Sequence, residues 1–273
     1  MPELAEVEFF RRQWNPGLRK KIRLIHIHRG KRVFRGVSPS TLIRQIQGKT
    51  MISSEAHGKQ MLFRFGRDGW LGIHLGMTGK LLARSRSFSP GSHDHLVLRT
   101  GQCSLVYQDP RLFGRIRFQT SREPPEWWNR IPPAILSPGF NLPQMASFCQ
   151  RRGRTPLKAL LLRQDSFPGI GNWMADEILW QARLHPKRKA GKLGCGEIQR
   201  LHFCIKKISR VAMQTIGRDG SDPPASWLFL YRWRSGGRCP RCKKTLARGS
   251  VGGRTSCWCP QCQPALPRRK HSA

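Results

Sequence analysis

Apolar residues in the first 120 positions come in short runs, separated by Gly, Asp and Ser residues that signal turns. Short apolar runs bounded in this way are typical of β-strands. We therefore expect a β-sandwich over residues 1–120, with one helix over Ala5–Arg12 before the strands. The predicted strands are Ile22–Ile27, Met61–Phe65, Trp70–Leu75, His95–Leu98, Ser104–Tyr107 and Arg115–Phe118.

A proline-rich segment over residues 121–140 follows. Its two Pro-Pro pairs predict a linker, because neither a helix nor a central strand tolerates them. Beyond it, apolar residues recur every three or four positions, which predicts helices, and Gly217 is the expected stop of the last one. The predicted helices are Pro156–Arg163, Gly171–Ala182 and Glu197–Ile216, and Trp227–Trp233 is a predicted strand.

These patterns together predict an α+β protein. The β-sandwich lobe and the linker are followed by a helical domain over residues 141–225. A cysteine-bearing hairpin over residues 226–263 comes next. Residues 264–273 have the composition of a basic, disordered tail.

The charge balance points to the kind of partner. The chain has 50 Lys and Arg against 15 Asp and Glu, a net charge of +35. Such a field suits a polyanion, above all nucleic acid, whereas without a partner its self-repulsion would only oppose folding. No apolar run approaches the roughly 20 residues that span a bilayer, and residues 1–30 lack the apolar core of a signal peptide. The odd number of cysteines fits a disulfide framework poorly and favours a reducing compartment. We therefore expect a cytoplasmic protein that associates with the nucleoid and has no membrane partner.

The cysteines near the C-terminus have the spacing of a metal site. Cys239-x-x-Cys242 and Cys259-x-x-Cys262 are separated by 16 residues. This spacing is typical of a structural Zn²⁺ held by four thiolates, which leaves the metal no open position for catalysis. A redox pair is the alternative. Cys257 does not fit the spacing, so the predicted ligands are the other four.

The N-terminus combines a latent nucleophile with acidic residues. Pro2 is small enough for the initiator Met1 to be removed, which would expose a secondary amine beside Glu3 and Glu6. An amine with neighbouring carboxylates is suited to nucleophilic and acid–base chemistry. The alternative is that Glu3, Glu6 and Glu8 only stabilise the start of a helix through its dipole.

Six motifs in register extend the argument over nearly the whole chain. Together they resemble the formamidopyrimidine-DNA glycosylase / endonuclease VIII family. The motifs are residues 2–8 (Pro-Glu-Leu-Ala-Glu-Val-Glu), 74–79 (His-Leu-Gly-Met-Thr-Gly), 93–95 (His-Asp-His), 109–114 (Asp-Pro-Arg-Leu-Phe-Gly), 169–172 (Gly-Ile-Gly-Asn) and 253–255 (Gly-Arg-Thr).

The resemblance implies a bifunctional DNA glycosylase and abasic-site lyase. Its partner would be double-stranded DNA with a damaged base or an abasic site, and it would act as a monomer without a small-molecule cofactor. Pro2 would attack the sugar C1′, with Glu3 as general acid/base and Glu6 in support. Lys59 and Arg254 would assist strand cleavage by β- and δ-elimination.

The same resemblance implies the DNA contacts. Met77, Arg111 and Phe113 would fill the space left by an everted base. His93 and Arg154 would also contact DNA. Asn172 would lie at the start of the second helix of a helix–two-turn–helix motif, where free N–H groups bind phosphate.

The chain departs from the family pattern at two places, of which the first should alter only local stiffness and the second bears on the substrate. Ala5 replaces the family's usual proline, and the connection from Gly217 to Cys239 is short where members specialised for 8-oxoguanine carry a longer loop. We therefore expect formamidopyrimidines, hydantoins, oxidised pyrimidines or abasic sites to be better substrates than 8-oxoguanine. A non-catalytic zinc-finger protein derived from the same fold is the alternative. A zinc-ribbon protein of ribosomes or transcription would leave the N-terminus unexplained.

Overall fold

A computed structural model describes residues 1–28 and 30–265, so most of the predicted basic tail lies outside the described residues. The chain divides into two compact units. The first contains residues 1–131 and 217–220, and the second contains residues 132–216 and those from 221 onward. The predicted linker over 121–140 therefore straddles the division. Its first half packs on the first unit, where Trp128 contacts a small cluster with Leu62 and Trp70.

The first unit holds two four-stranded antiparallel sheets, in the orders β1-β6-β7-β5 and β2-β3-β4-β8. Side chains from both sheets, among them Leu71 and Leu96, share one apolar core. The strands are β1 (Leu24–Ile27), β2 (Met51–His57), β3 (Gln60–Phe65), β4 (Gly69–His74), β5 (Lys80–Ser85), β6 (Asp94–Arg99), β7 (Cys103–Gln108) and β8 (Arg115–Thr120). Its helices are α1 (Leu4–Arg12), α2 (Pro39–Ile46) and α3 (Glu126–Asn129).

The two ends of the sandwich carry different loops. The β2–β3, β4–β5 and β7–β8 connections lie at one end. The β3–β4 and β6–β7 turns lie at the other, together with the residues that lead into β1 and β2. Strands of six residues keep the two sets of loops roughly 17 Å apart.

All six predicted strands form, but strands β2 and β5 and helix α2 were not predicted. Both strands are edge strands of their sheets. Their sequences, Met-Ile-Ser-Ser-Glu-Ala-His and Lys-Leu-Leu-Ala-Arg-Ser, lack the longer apolar runs that identify a buried strand. In β2, only Met51 is buried.

The second unit is mainly helical and ends in a β-hairpin. Its helices are α4 (Leu142–Arg151), α5 (Leu157–Leu161), α6 (Asn172–Gln181) and α7 (Cys195–Gln214), and the short α8 (Ile216–Asp219) follows at the division between units. The hairpin pairs β9 (Ala247–Val251) with β10 (Arg254–Trp258). Helix α6 is buried continuously from Trp173 to Trp180 and forms the centre of this unit.

Two predictions for this region were wrong. Helix α7 ends at Gln214 and Gly217 lies inside α8, so Gly217 is not the helix stop. The segment Trp227–Trp233 is not a strand, because residues 228–230 form one turn of 3-10 helix. Leu228 is fully buried in the cluster around Trp180, and the Phe229 N–H donates to Glu177 Oε2 at 3.0 Å, so the segment packs into the core instead of pairing.

Among the described residues, no helix combines the length and the apolar composition needed to cross a membrane.

Candidate active site and DNA-contacting residues

The first helix places Pro2 beside two acidic side chains. Glu3 is the N-cap of α1 and is 3% exposed. The Glu6 carboxylate accepts a hydrogen bond from the Glu3 backbone N–H at 3.1 Å. The helix is anchored because Ala5 and Val7 are buried. The capping role that we considered as an alternative is therefore present, and it holds the residue next to Pro2 in a defined conformation.

Glu8 serves a different purpose from the first two acids. Its carboxylate pairs with Arg11 and Arg12, each at 2.7 Å. Although burial raises the pKa of Glu8, the hydrogen bonds from both arginines bring it below its usual value. Arg11 also donates to the Ser54 hydroxyl on β2 at 2.5 Å, so this cluster fastens α1 to the second sheet.

Lys59 lies in the tight β2–β3 turn and is 8% exposed. On the neighbouring strand, His74 pairs in register with Gln60. Burial, with the charges of Lys59 and Arg117, lowers the pKa of His74 to about 4. His74 is therefore neutral at physiological pH, and its Nδ1 accepts the Gly76 N–H at 3.1 Å.

The proposed void-filling residues lie on two loops at this same end of the sandwich. Met77 is 41% exposed and Phe113 is 40% exposed, a high value for large apolar side chains. The backbone of Gly76 approaches that of Phe113 so closely that a Cβ on Gly76 would lie 2.4 Å from the Phe113 carbonyl carbon. The two loops therefore pack against each other.

Two arginine side chains flank the exposed Phe113 ring, one from the same loop and one from the segment after β1. The Arg111 guanidinium lies 4.8 Å from the ring centroid and that of Arg32 lies 5.0 Å from it. Arg32 also donates to the Leu112 carbonyl at 2.8 Å. Sequence reasoning missed Arg32, because it follows β1 and only the fold brings it to the Phe113 loop.

Asp109 joins the two loops and was also missed as a site residue. It is fully buried, and its Oδ1 accepts the Thr78 hydroxyl at 2.8 Å. Its Oδ2 accepts the Gly114 N–H at 2.7 Å and the Tyr107 hydroxyl at 3.2 Å. His95 Nε2 donates to the Asp109 carbonyl at 2.9 Å. One carboxylate thus binds the loop that carries Met77 and the loop that carries Phe113.

The second unit carries the other predicted DNA contacts. Asn172 is the first residue of α6, after Gly169 in the left-handed region at φ +92°. Arg154 is exposed in the turn before α5. Arg254 is exposed at the start of β10, directly after the Gly252-Gly253 turn. His93, in the first unit, is exposed just before β6.

A buried ionic network supports α6 and the hairpin. Lys158 and Asp176 are fully buried, with Nζ and Oδ1 2.5 Å apart, and Lys158 also donates to the Asn172 carbonyl at 2.5 Å. Asp176 Oδ2 accepts from Arg232 at 2.5 Å and from the Cys257 N–H at 3.1 Å. Paired and hydrogen-bonded in this way, the buried charges are compensated. The network links the start of α6 to β10, the strand of Arg254.

The four predicted cysteine ligands come together. Their sulfur atoms all lie within 4.8 Å of one another. Two of the sulfur–sulfur distances are 3.4 Å (Cys242–Cys259) and 3.9 Å (Cys239–Cys262). A tetrahedral metal with bonds of about 2.3 Å to sulfur requires about 3.8 Å between ligand atoms, so the donor set fits a four-coordinate thiolate site.

Hydrogen bonds from N–H groups favour the thiolate form of Cys239. The Trp180 indole N–H donates to Cys239 Sγ at 3.4 Å. Burial raises the pKa of Cys239, but backbone and indole N–H donors outweigh it and lower the pKa to about 7. Cys257 stays outside the cluster, and burial raises its pKa to about 11. The exclusion of Cys257 from the ligand set agrees with the geometry.

Comparison with known proteins places these features in a class. Residues 1–116 match the family model of the formamidopyrimidine-DNA glycosylase N-terminal domain, and residues 131–222 match the model of its H2TH domain. The first match covers the β-sandwich as far as the start of β8, and the second contains the helix–two-turn–helix segment around α5 and α6. The fold is therefore that of a DNA glycosylase with a four-cysteine hairpin.

Individual relatives agree over the full length. The chain is 35% identical to the formamidopyrimidine-DNA glycosylase of Thermomicrobium roseum, covering 97% of this chain and 99% of the relative. It is 33% identical to that of Carboxydothermus hydrogenoformans, covering 96% and 100%. A solved complex of the Lactococcus lactis Fpg with DNA containing an abasic site has a TM-score of 0.86 at 27% identity, covering 96% and 100%. The chain belongs to the formamidopyrimidine-DNA glycosylase family.

Proposed function

We propose that this protein is a base-excision-repair DNA glycosylase with abasic-site lyase activity. The observation that carries the proposal is the start of the chain, where Pro2 directly precedes the buried Glu3 at the N-cap of α1. Membership of the family supports it, and so does the net charge of +35, which suits a DNA substrate.

Removal of Met1 would leave the Pro2 nitrogen as a secondary amine. This nitrogen attacks the sugar C1′ while the bond to the damaged base breaks, and the base leaves with a proton. Opening of the sugar ring, with a proton delivered to O4′, gives a cationic iminium. The iminium withdraws electrons from C2′, which loses a proton as the 3′ phosphate departs. Glu3 would exchange these protons, and Glu6, which accepts the Glu3 backbone N–H in the helix cap, would support it.

Lys59 and Arg254 supply positive charge in this scheme. Lys59 stabilises the phosphate that departs in the first elimination, and Arg254 assists the second. Lys59 is largely shielded from solvent, which strengthens its interaction with an anion. Met77, Arg111 and Phe113 occupy the space of the everted base, while His93, Arg154 and Asn172 contact the DNA backbone.

The metal in the cysteine cluster is proposed to be one structural Zn²⁺. Four sulfur ligands with N–H donors around them suit zinc, and no ligand position remains for substrate. Cys239, Cys242, Cys259 and Cys262 would hold it. None of the cysteines, all of which lie within the described residues, forms a disulfide, which agrees with a reducing, cytoplasmic location on the nucleoid.

The proposed substrates are formamidopyrimidines, hydantoins, oxidised pyrimidines and abasic sites. Only residues 220–227 connect α8 to the 3-10 turn at Leu228, which is short for a loop that closes over an everted 8-oxoguanine. One solved complex of the Lactococcus lactis Fpg contains DNA with Fapy-dG, and another contains DNA with an oxidised pyrimidine. At 28% identity, these complexes support the same lesion class here.

A lesion panel tests both the activity and the preference. In single-turnover assays we expect base release and strand cleavage at formamidopyrimidine and hydantoin lesions at least ten times faster than at 8-oxoguanine opposite cytosine. A preference for 8-oxoguanine would overturn the lesion assignment. Release of no base from any duplex that the protein binds would overturn the glycosylase assignment and favour the non-catalytic alternative.

The hydrogen bonds by which Asp109 joins the Met77 loop to the Phe113 loop are named the Asp109 junction, and they lead to a separate prediction. Thr78→Val removes only the hydroxyl that links the Met77 loop to Asp109. A hydrogen bond to a carboxylate contributes about 1.5–3 kcal/mol, so we expect excision of a damaged base to slow about tenfold or more. Cleavage at a preformed abasic site should change less than twofold, because no base has to be extruded.

Thr100→Val is a matched control for this variant. Its hydroxyl also makes local hydrogen bonds, but in the β6–β7 turn at the other end of the sandwich. We expect this variant to cost some stability and leave both rates unchanged. If Thr78→Val slowed excision of a damaged base and cleavage at a preformed abasic site equally, the Asp109 junction would not act through base extrusion.

A further inference from the structure

Eight cationic side chains line two shallow concavities on the first unit, at the end of the β-sandwich away from Lys59. We name this surface the basic face. Lys49, Arg64, Arg67 and Arg122 line one concavity of about 760 Å³, and Arg19, Lys20, Lys21 and Arg23 line the other, of about 380 Å³. None of these residues takes part in the mechanism above.

The two concavities adjoin. The Ile22 N–H donates to the Lys49 carbonyl at 2.9 Å, and the Gly66 N–H donates to the Thr50 carbonyl at 2.8 Å. Residues 49–50 therefore run between the segment 19–23 and the β3–β4 turn. Because neighbouring extended segments lie about 4.8 Å apart, the backbones of segment 19–23 and of the start of the β3–β4 turn lie two strand spacings, or roughly 10 Å, apart.

The basic face points away from the proposed DNA contacts of this unit. Strands β3 and β4 connect the two regions: Gln60 and His74 lie next to Lys59, while Phe65 and Gly69 adjoin the basic face. The six-residue strands separate them by roughly 17 Å. A duplex held at the Met77 and Phe113 loops is therefore not the ligand of the basic face.

The positive charge of the basic face is little compensated. Of the residues that line the two concavities, one is acidic, Asp68, and it is held by Lys49 at 3.5 Å. Arg64 is fixed in place, since it donates to the Arg67 carbonyl at 2.6 Å and lies 5.1 Å from the Trp70 ring centroid. Such a cluster repels itself, and a polyanion would relieve this repulsion.

The lining indicates which polyanion. A protein partner would need an apolar anchor at the centre of its interface, and the lining residues are Lys, Arg, Gly, Asp and Gln. A phosphate backbone needs only charge, and contacts of this kind are independent of sequence. The chemistry therefore favours nucleic acid over an acidic protein.

We propose that the basic face binds a second, undamaged DNA duplex while the first is held at the active site. Binding to two duplexes at once allows the protein to pass directly from one DNA segment to another during its search for damage. This goes beyond the proposed glycosylase activity and does not depend on its chemistry.

The test uses full-length protein saturated with a duplex that contains an uncleavable tetrahydrofuran abasic analogue. A second, undamaged duplex is then added, and energy transfer between labels on the two duplexes reports simultaneous binding. The face variant replaces Lys21, Arg23, Arg67 and Arg122 by Gln. The control variant replaces four exposed cations elsewhere by Gln: Arg44, Lys192, Lys207 and Arg210.

We expect wild type and control variant to bind the second duplex, and the face variant to bind it at least tenfold more weakly. Loss of four phosphate contacts should reduce the salt slope of this binding by about 3 to 4. Dissociation of a labelled first duplex should accelerate with undamaged competitor in wild type and not in the face variant. Single-turnover excision should be equal in all three proteins, which shows that the face variant is folded.

Three results would overturn the proposal, two of them from the duplex-binding measurements. One is the absence of energy transfer with wild type at low salt. The other is equal second-duplex affinity in the face and control variants. Displacement of the second duplex by poly-glutamate at lower charge concentration than by DNA would also overturn it, because the face would then prefer an acidic polypeptide. None of these results depends on whether base excision occurs.

Discussion

Pro2→Gly is expected to reduce covalent trapping of the protein on an abasic-site duplex by borohydride about 100-fold. A loss of this size corresponds to about 2.7 kcal/mol of barrier. Proline forms an iminium that carries its positive charge at every pH, whereas the imine of a primary amine must be protonated to withdraw electrons equally well. Glycine also loosens the residue before the Glu3 N-cap, so the amine is less well positioned.

The trapping experiment needs verified N-termini and matched acid variants. Mass spectrometry first establishes that Met1 is absent, because an acylated Pro2 nitrogen is an amide without a nucleophilic lone pair. Glu3→Gln should trap poorly, whereas Glu8→Gln removes a carboxylate from the same helix that pairs with Arg11 and Arg12. We expect Glu8→Gln to cost stability and leave trapping near the wild-type level. A reduced adduct that maps to Lys59 would show that Pro2 is not the nucleophile.

Cys259→Ser is expected to remove the metal and unfold the β9–β10 hairpin. Cys259 is fully buried within the four-sulfur cluster. Structural zinc in small fingers contributes about 10–16 kcal/mol, as much as the whole stability of a typical domain. The hairpin has five-residue strands and few apolar neighbours, so it has no other source of stability of that size. Because Arg254 lies on this hairpin, we expect binding to damaged DNA to weaken at least 100-fold.

Cys257→Ser is the matched control in the same hairpin. It replaces a buried thiol two residues away that lies outside the ligand cluster. Elemental analysis should find about one zinc per chain in wild type and Cys257→Ser, and almost none in Cys259→Ser. A strong chelator should reproduce the Cys259→Ser phenotype in wild type. Equal metal loss in both variants, or iron in place of zinc, would contradict the proposed site.

Local patterns predicted most of the architecture. Strands β4 and β7 have apolar runs because most of their side chains are buried, whereas β2 and β5 have one buried residue each and lack such runs. The Trp227–Trp233 segment was misread because its apolar residues pack against α6 instead of pairing. A run of apolar residues shows that a segment is buried, but it does not identify its partner.

In the candidate site too, features set by nearby residues were predicted and features set by distant segments were missed. Pro2, Glu3 and the four cysteines were predicted because their chemistry depends on neighbours two or three positions away. Arg32 and Asp109 were missed, although one flanks Phe113 and the other joins both loops, because their partners come from distant segments. Lys158 and Asp176 are a further case, 18 positions apart and paired without solvent.

The sequence by itself determined the family, the charge, the ligand set and the residues that can carry chemistry, since each depends on residue type and short spacing. Only the tertiary structure decided which groups are neutral, which loops are joined and which cations share a surface. The neutral His74, the Asp109 junction and the basic face all arise from burial and from contacts between distant segments. Free energies of this kind depend on the packed environment, and no local pattern encodes them.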